Sequence, residues 1–403
     1  MNRIALLGSA LLGLGGCILL YNPDSYTIGE GGAGGAPSSS SRGGSTSSLP
    51  ATSSTGGAGG SPDASSSSAG GGGGGCEEPA TSSSSGSPCP CQRTDIATIG
   101  AARQATFLAV NGTKIFGAAT RGSAPDGEIW SAILPGIGEP VTEIIANVNP
   151  LGLVVTDQFI YWTDDLKSPG GFQGVMRAPV STMSAPGTPL FELEAKPGAL
   201  TMYGGTLFFS VLGSPPSIRR ESIVCGKNAS AQWTTVNGPA LLLAADENDL
   251  YYYNGIAIRR ISLIGAAATD TAFALTGTQV HGLAVDTNLE GWVYWTRGTM
   301  DGTGTVARRA KPLNPVAGTL QEMTELTDLV EPRAIIADDT AAYWAQYDQE
   351  ACDQAQATIY RLEVDEMAAT PFISGLACPV ALTADAYRLY WATGAEVESI
   401  GKH

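Results

Sequence analysis

The sequence predicts an all-β fold, a seven-bladed β-propeller in which each blade has four strands. Three observations lead to this prediction. An apolar-aromatic segment recurs along the chain, a short apolar strand and a turn precede most copies, and one isolated strand stands at the start of the repeat region. Repeats of about 40–50 residues, each forming a small antiparallel sheet, are typical of propellers.

The aromatic segment is the strongest element of the repeat. One copy is Ile160-Tyr161-Trp162-Thr163, and a degenerate first copy is Ile115-Phe116-Gly117-Ala118. The Tyr or Phe positions are 116, 161, 208, 251, 294, 343 and 390, so the intervals are 45, 47, 43, 43, 49 and 47 residues. A spacing this regular indicates one blade per interval.

Each copy has similar neighbours, and these supply the other strands of the blade. A short apolar strand precedes the aromatic one and usually ends in an Asp that is expected to cap a tight turn, at positions 157, 246, 286, 338 and 385. A third strand carries an Ile/Val-x-Arg pattern, with its arginine at 177, 220, 260, 308 and 361. A fourth strand follows, and the first is almost wholly apolar because it lies between neighbouring blades near the axis.

The two ends of the repeat region complete each other. Residues 94–99 read as a fourth strand with no blade before it, and the last unit stops after a third strand at 397–400. We therefore expect the N-terminal strand to complete the last blade. This arrangement closes the ring and leaves no open sheet edge.

The second blade contains Tyr161-Trp162-Thr163-Asp164. This motif resembles the YWTD repeat of the low-density-lipoprotein-receptor type propellers and their relatives among bacterial secreted proteins. The resemblance covers roughly residues 94–403, but the other blades keep only the apolar-Tyr-Trp part. Those receptor propellers have six blades, whereas this sequence has seven units, so the resemblance supports the blade type and not shared ligands.

The N-terminus predicts an exported, lipid-anchored protein. Arg3 precedes an apolar run from Ile4 to Leu14, which is the pattern of a signal peptide. The run ends in Leu14-Gly15-Gly16-Cys17, which resembles the bacterial lipoprotein signal. That resemblance implies cleavage after residue 16 and acylation of Cys17. Ile18 in place of Asp implies the outer membrane, and an ordinary secretory signal with a chance Cys is the alternative.

Residues 17–92 form the predicted tether, and residues 93–403 form the propeller. From Gly29 to Gly75 the chain is almost entirely Gly, Ser, Ala, Thr and Pro, with Leu49 as its only large apolar residue. Such a segment cannot bury enough apolar surface to offset its ordering entropy, so we expect a disordered spacer. A role in adhesion or glycan attachment is the alternative. The combination of a glycine-rich tether and a propeller resembles surface lipoproteins of myxobacteria.

The charge balance excludes one class of partner. The chain has 22 Lys and Arg against 38 Asp and Glu, a formal net charge of −16. Nucleic-acid binding needs clustered basic residues that neutralise phosphates, so no nucleic-acid partner is expected. We expect a monomer that contacts the membrane through its anchor only.

Residues that occur in one blade only are the candidates for function. His281 is the only internal His and precedes an inner strand near the axis. The loops between second and third strands hold further polar residues, and by propeller geometry they share one face with His281. The candidate binding face comprises Asp164, Asp165, Arg297, Asp301, Tyr347, Asp348 and His281. No nucleotide, phosphate, redox or calcium-loop motif accompanies them, so no catalytic residue, cofactor or metal is assigned.

Six cysteines remain besides Cys17, at positions 76, 89, 91, 225, 352 and 378. An even number in an exported protein indicates disulfides, with 15 pairings possible. Cys352 lies in a long loop of the sixth blade, and Cys378 lies where the seventh blade begins. We predict a bond between these two and assign no pairing to the other four.

Three functions remain open at this point. The favoured one is a non-enzymatic lipoprotein of the cell envelope whose propeller presents a face to a protein or a glycan. The alternatives are a lyase or hydrolase that uses His281 and the acidic loops, and a purely structural envelope component. A deep pocket with converging polar groups would favour an enzyme, and a broad flat face would favour a partner.

Overall fold

The computed structural model describes thirteen stretches of the chain, all within the predicted propeller domain. They are residues 93–99, 104–120, 127–135, 139–165, 173–181, 187–223, 231–264, 268–288, 291–298, 302–312, 323–348, 355–394 and 396–402. The predicted signal peptide and tether lie outside them, as do Cys17, Asp301 and Cys352. Among the described residues, no helix has the length and hydropathy needed to cross a membrane.

The described residues form seven sheets, one for each predicted unit, and each contains four antiparallel strands, which confirms the fold. The first blade comprises β2 (Gln104–Val110), β3 (Lys114–Thr120), β4 (Gly127–Ile133) and β6 (Thr142–Val148). The second comprises β7 (Pro150–Val155), β8 (Phe159–Asp165), β9 (Gln173–Pro179) and β10 (Thr188–Glu192). The third comprises β11 (Pro197–Tyr203), β12 (Thr206–Val211), β13 (Ser217–Ser222) and β14 (Ala231–Thr235).

The next three blades follow the same order. Blade four comprises β15 (Leu242–Ala245), β16 (Asp249–Tyr253), β17 (Ala257–Ser262) and β18 (Asp270–Leu275). Blade five comprises β19 (Val280–Val285), β20 (Trp292–Gly298), β21 (Thr303–Ala310) and β22 (Met323–Val330). Blade six comprises β23 (Pro332–Ala337), β24 (Ala341–Gln346), β25 (Ala357–Glu363) and β26 (Thr370–Leu376). The seventh begins with β27 (Ala381–Ala384), β28 (Arg388–Ala392) and β29 (Glu396–Gly401).

The seventh blade is completed from the other end of the chain, as predicted. β1 (Thr94–Thr98) pairs antiparallel with β29, with Thr94 opposite Ser399. A short strand that the sequence did not indicate, β5 (Glu139–Pro140), adds to the outer side of β1 in parallel. First strands of successive blades contact one another around the whole ring, including β2 with β27.

The core lies between blades and is filled by the recurring aromatics. Trp162, Trp295, Trp344 and Trp391 are fully buried on the second strands. The degenerate first blade has Gly117 at this position, and Trp130 from the third strand opposite it supplies the indole instead. A Cβ at residue 117 would lie 1.9 Å from a ring carbon of Trp130. The first blade therefore also buries an indole ring between blades, but supplies it from the third strand instead of the second.

The turns between first and second strands are capped largely as predicted. The Asp338 side chain accepts the backbone N–H groups of Thr340 and Ala341 at 2.8 and 2.9 Å. The second blade differs from the prediction, because Thr156 caps its turn, with Oγ1 accepting the N–H of Phe159 at 3.0 Å. Thr156 directly follows its strand, as each capping Asp does, so position rather than residue type decides the cap.

The third-strand arginines stabilise their own blades, as expected from their occurrence in five of them. Four stack on aromatic rings, Arg177 on Phe159, Arg220 on Trp233, Arg308 on Trp292 and Arg361 on Tyr343. Arg260 pairs with Asp249 at 2.7 Å, and Arg361 pairs with Glu363 at 2.8 Å. Five copies with structural partners are part of the scaffold rather than of a site.

Candidate functional site

Two faces of the disc can be distinguished by strand direction. We call the upper face the side that carries the loops between second and third strands and the connections from each fourth strand to the next blade. The lower face carries the remaining turns. The six described candidate residues lie at strand ends on the upper face, in blades two, five and six, and Asp301 lies outside the described residues.

Asp164 is a structural residue, which corrects its place in the predicted binding face. Its side chain is only 2% exposed. One carboxylate oxygen accepts the backbone N–H of Asn149 at 3.0 Å, and the other accepts Nε1 of Trp162 at 3.2 Å. Thr163 donates its hydroxyl to the carbonyl of Gly198 in the next blade at 2.8 Å. The Tyr-Trp-Thr-Asp motif is thus explained by blade packing.

Asp165 and Arg297 lie on the upper face, and both are engaged in ion pairs. The Asp165 carboxylate lies 2.8 Å from Nζ of Lys196 and accepts the side-chain amide of Gln173 at 3.2 Å. The Arg297 guanidinium lies 2.8 Å from the carboxylate of Glu325. These partly exposed pairs neutralise Asp165 among the predicted acidic residues and Arg297, the one predicted cation of this face.

His281 packs in a small cluster between blades five and six. A Cβ at Gly298 would come within 2.4 Å of its Nε2, so the ring lies directly over that glycine. Burial, followed by the charge of nearby Arg333, lowers the pKa of His281 to about 4. Arg333 also pairs with Glu331 and lies 6.0 Å from the ring centre of Tyr347. The imidazole is therefore neutral at physiological pH.

Tyr347 and Asp348 are neighbours with different environments. Tyr347 is only 7% exposed, and burial raises the pKa of its hydroxyl. Its ring is thus part of the packing between blades, a correction to its place on a contact surface. Asp348 is exposed at the end of the same segment. Of the predicted acidic residues that the structure describes, Asp348 is the most accessible to a partner.

The upper edge of blade four carries exposed apolar residues that the repeat pattern does not indicate. Ile256 is 72% exposed, Leu275 is 75% exposed and Leu241 is 43% exposed. We call these three residues the blade-four patch. Asn254-Gly255 between two strands is a hairpin-turn signal, and a large apolar residue directly after it could have marked the site.

The lower face holds buried ion pairs that join blades. Nζ of Lys311 lies 3.0 Å from Asp246 and 3.2 Å from Asp286, which belong to the turns of blades four and five. Nζ of Lys402 in the last blade lies 2.7 Å from Asp338 in blade six. Burial raises the pKa of Asp286, whereas the pKa of Asp338 is lowered because its cation and hydrogen-bond donors outweigh burial. These clusters hold the turns in place.

An acidic group lies where the ring closes. Carboxylate oxygens of Asp95, Glu396 and Glu398 are within 4.8 Å of one another. Glu398 is buried and forms an ion pair with Arg93, and burial raises its pKa. The cluster joins β1 to β29 and so belongs to the closure of the ring.

The predicted disulfide falls only partly within the described residues. Cys378 is 7% exposed and packs in the core near the start of blade seven. Cys352 lies outside the described residues, so the pairing stays a prediction.

Comparison with known proteins supports the fold and goes no further. No family model matches the chain, and no curated protein matches it. Among solved structures, it is similar to the WD40 propeller domain of Doa1 (TM-score 0.51, 9% identity, 78% of this chain and 98% of that one). It is also similar to the Pan2 WD40 domain of Neurospora crassa (0.51, 8%, 77% and 96%). A third is an extracellular domain of a hybrid two-component system from B. thetaiotaomicron (0.52, 11%, 77% and 39%). The chain is therefore a β-propeller with WD40-like structural neighbours.

Proposed function

We propose that this chain is a non-enzymatic binding protein of the cell envelope, and that the upper face of its propeller binds a protein partner. Lipid attached to Cys17 anchors the chain, with the outer membrane as the expected site. The observation that carries the proposal is that the accessible polar side chains, Asp165, Arg297 and Asp348, are distributed over several blades. They lie on one face but in blades on opposite sides of the ring, which suits a broad partner better than a small substrate.

The scaffold supports this role physically. Each blade is held to the next by buried aromatics and by hydrogen bonds such as Thr296 Oγ1 to the carbonyl of Arg333 at 2.6 Å. Loops on a rigid frame can vary in length and sequence at little cost to the core. The WD40-like neighbours share a fold that is typical of protein-binding scaffolds.

The binding role is tested by charge reversal at exposed acids. Glu194→Lys with Asp348→Lys changes the upper face, and Glu247→Lys with Asp339→Lys is the matched change on the lower face. Full-length wild type and both variants are cross-linked in envelope extracts, and the captured proteins are identified. We expect the upper variant to lose a partner that the lower variant keeps. Loss in the lower variant alone would show that the opposite face binds.

The anchor is tested separately. Cys17→Ser should release the chain from membranes or block its processing, because the thiol is the predicted acylation site. Membrane association and incorporation of a labelled acyl chain report the result. Unchanged association together with unchanged acyl label would reject the anchor.

A further inference from the structure

We propose that the blade-four patch is the apolar centre of the binding surface, and that it takes a protein segment with apolar side chains and basic flanks. This inference rests on the proposed function, because it names the partner chemistry for the same upper face. It differs from the sequence-based expectation, which placed recognition on the acidic loops of blades two, five and six.

The three residues of the patch belong to one continuous edge. The backbone N–H of Leu241 donates to the carbonyl of Tyr253 at 2.8 Å, and Thr276 donates its N–H and its hydroxyl to the carbonyl of Ile256 at 3.2 and 2.8 Å. Leu275 pairs with the residue after Ile256 across β17 and β18. The side chains therefore project from directly neighbouring strand ends.

The turn that presents Ile256 is held rigidly. Asn254 Oδ1 accepts the N–H groups of Ile256 and Ala257 at 3.1 and 2.8 Å, and its Nδ2 donates to the carbonyl of Asn237 at 2.6 Å. The hydroxyl of Tyr253 donates to the carbonyl of Gly255, whose φ of +93° suits glycine.

This turn displays a large apolar side chain to water and uses several hydrogen bonds to keep it there. An exposed group that is already held in one conformation loses little entropy when a partner covers it. A few well-packed residues near the centre of a protein interface supply most of its affinity. The rigid turn thus indicates a contact point rather than a tolerated surface residue.

The charge around the patch defines the partner. Residues 237–241, 254–256 and 275–279 include no ionisable side chain, although the chain carries a net charge of −16. Among the described residues, two charged side chains contact these segments, and both are already paired. Arg297 donates to the carbonyl of Thr276 at 2.7 Å and pairs with Glu325. Asp270 accepts the N–H of Asn237 at 3.2 Å and pairs with Arg259, so an apolar segment can cover the patch beside charges that keep their partners. The acidic excess of the whole chain attracts basic flanking residues and repels a second copy of the chain. Aliphatic side chains offer a hydroxyl-rich glycan no hydrogen bonds, so a protein segment is favoured.

The test uses a displayed library of random peptides and the full-length chain in non-ionic detergent. The patch variant combines Ile256→Asn and Leu275→Asn. The matched control makes the same change at two exposed isoleucines of the lower face, Ile133→Asn and Ile264→Asn. Thermal unfolding of each variant confirms that the fold is kept.

We expect wild type and control to select the same peptides, rich in apolar residues flanked by Lys or Arg. Their affinity for the patch variant should fall by about tenfold or more, because apolar anchors at the centre of an interface are removed. Association should slow as salt is added, since the basic flanks are steered by the acidic chain.

Several outcomes would overturn the inference. Peptides that bind the patch variant as tightly as wild type reject the patch, and if they fail on Glu194→Lys/Asp348→Lys the proposed upper-face function still stands. Peptides lost only from lower-face variants, or no selected peptides at all, reject both. Acidic peptides, self-association that the patch variant abolishes, or glycan binding at the patch would each replace the proposed partner.

Discussion

Gly117 is the residue on which the packing of the first blade depends. The Trp130 ring occupies the volume of the missing side chain, and a Cβ there would overlap the ring. Trp130 itself is fully buried. This pair shows why a blade can lose its motif aromatic and still fill the wedge between its neighbours.

Gly117→Ala should lower the free energy of unfolding by about 1–3 kcal/mol, since the ring must leave its rotamer or the strands must separate. The same change in a Trp130→Ala background should cost far less, because the overlap is gone. Gly394→Ala is the matched control, as nothing lies within 4 Å of its Cβ. Denaturant unfolding measures all four variants. Equal costs in both backgrounds would contradict this packing.

His281 makes stability depend on pH. Its folded pKa of about 4 lies below the ordinary value of 6.5, so the unfolded chain binds the proton more readily. The resulting stability is fully present above about pH 6.5 and is lost as pH falls through about 4. Arg333 and Glu331 are the charged groups beside it.

Between about pH 7.5 and pH 5 we expect the wild type to lose about 1–2 kcal/mol more than His281→Gln, which cannot titrate. Chemical unfolding at the two pH values checks this difference. Carboxylates contribute equally to both proteins, so they cancel in the comparison. Identical pH dependence in the two proteins would show that the ring is accessible and ordinary.

At the scale of elements, Lys311 joins the lower turns of two blades. Its Nζ lies within 3.2 Å of a carboxylate from each turn and donates to the carbonyl of Asp286 at 2.8 Å. All three side chains are almost completely buried. Removing one cation therefore leaves two carboxylates without countercharge between blades.

Lys311→Met should destabilise the domain by about 3–5 kcal/mol at neutral pH. Part of this loss should be recovered in acid, because protonated carboxyl groups need no cation. Adding Asp246→Asn and Asp286→Asn should restore most of the stability, as removing a whole buried ion cluster costs little. Thermal unfolding across pH measures each variant. A single variant as stable as wild type would show that the carboxylates have other partners.

For the whole molecule, closure of the ring is the property that every blade shares. β1 and β29 are about 300 residues apart in sequence, and their pairing leaves Ile96 and Ala97 1% exposed. With contacts between first strands running around the full circle, stability at this junction affects all seven blades. The lower-face pair of Lys402 and Asp338 reinforces the same region.

Deleting residues 94–99 should lower the free energy of unfolding by at least about 4 kcal/mol, since buried isoleucine and ladder hydrogen bonds are lost together. Deleting residues 29–75, the predicted spacer, is the control and should leave stability nearly unchanged. Calorimetry of the two truncated proteins decides the matter. Equal melting temperatures would contradict closure by the N-terminal strand.

Most of the fold could be predicted because the same short sequence patterns recur in every blade. The interval between aromatic segments, the turn caps and the incomplete units at the two ends are properties of contiguous residues. They indicate seven blades and the closing strand without any information on contacts between strands. Exceptions such as Thr156 and Trp130 arose where another residue took over a role at a neighbouring position.

The candidate site was less predictable, and the reason is physical. Sequence alone determined that Asp164, Asp165, Arg297 and Tyr347 would lie on one face, because strand direction places them there. Only the tertiary structure decided that Asp164 and Tyr347 are buried, that Asp165 and Arg297 are paired, and that Ile256 stands in water. Burial and ion pairing depend on side chains that approach from other strands and blades. The sequence of one strand does not specify the distances between its side chains and those of its neighbours.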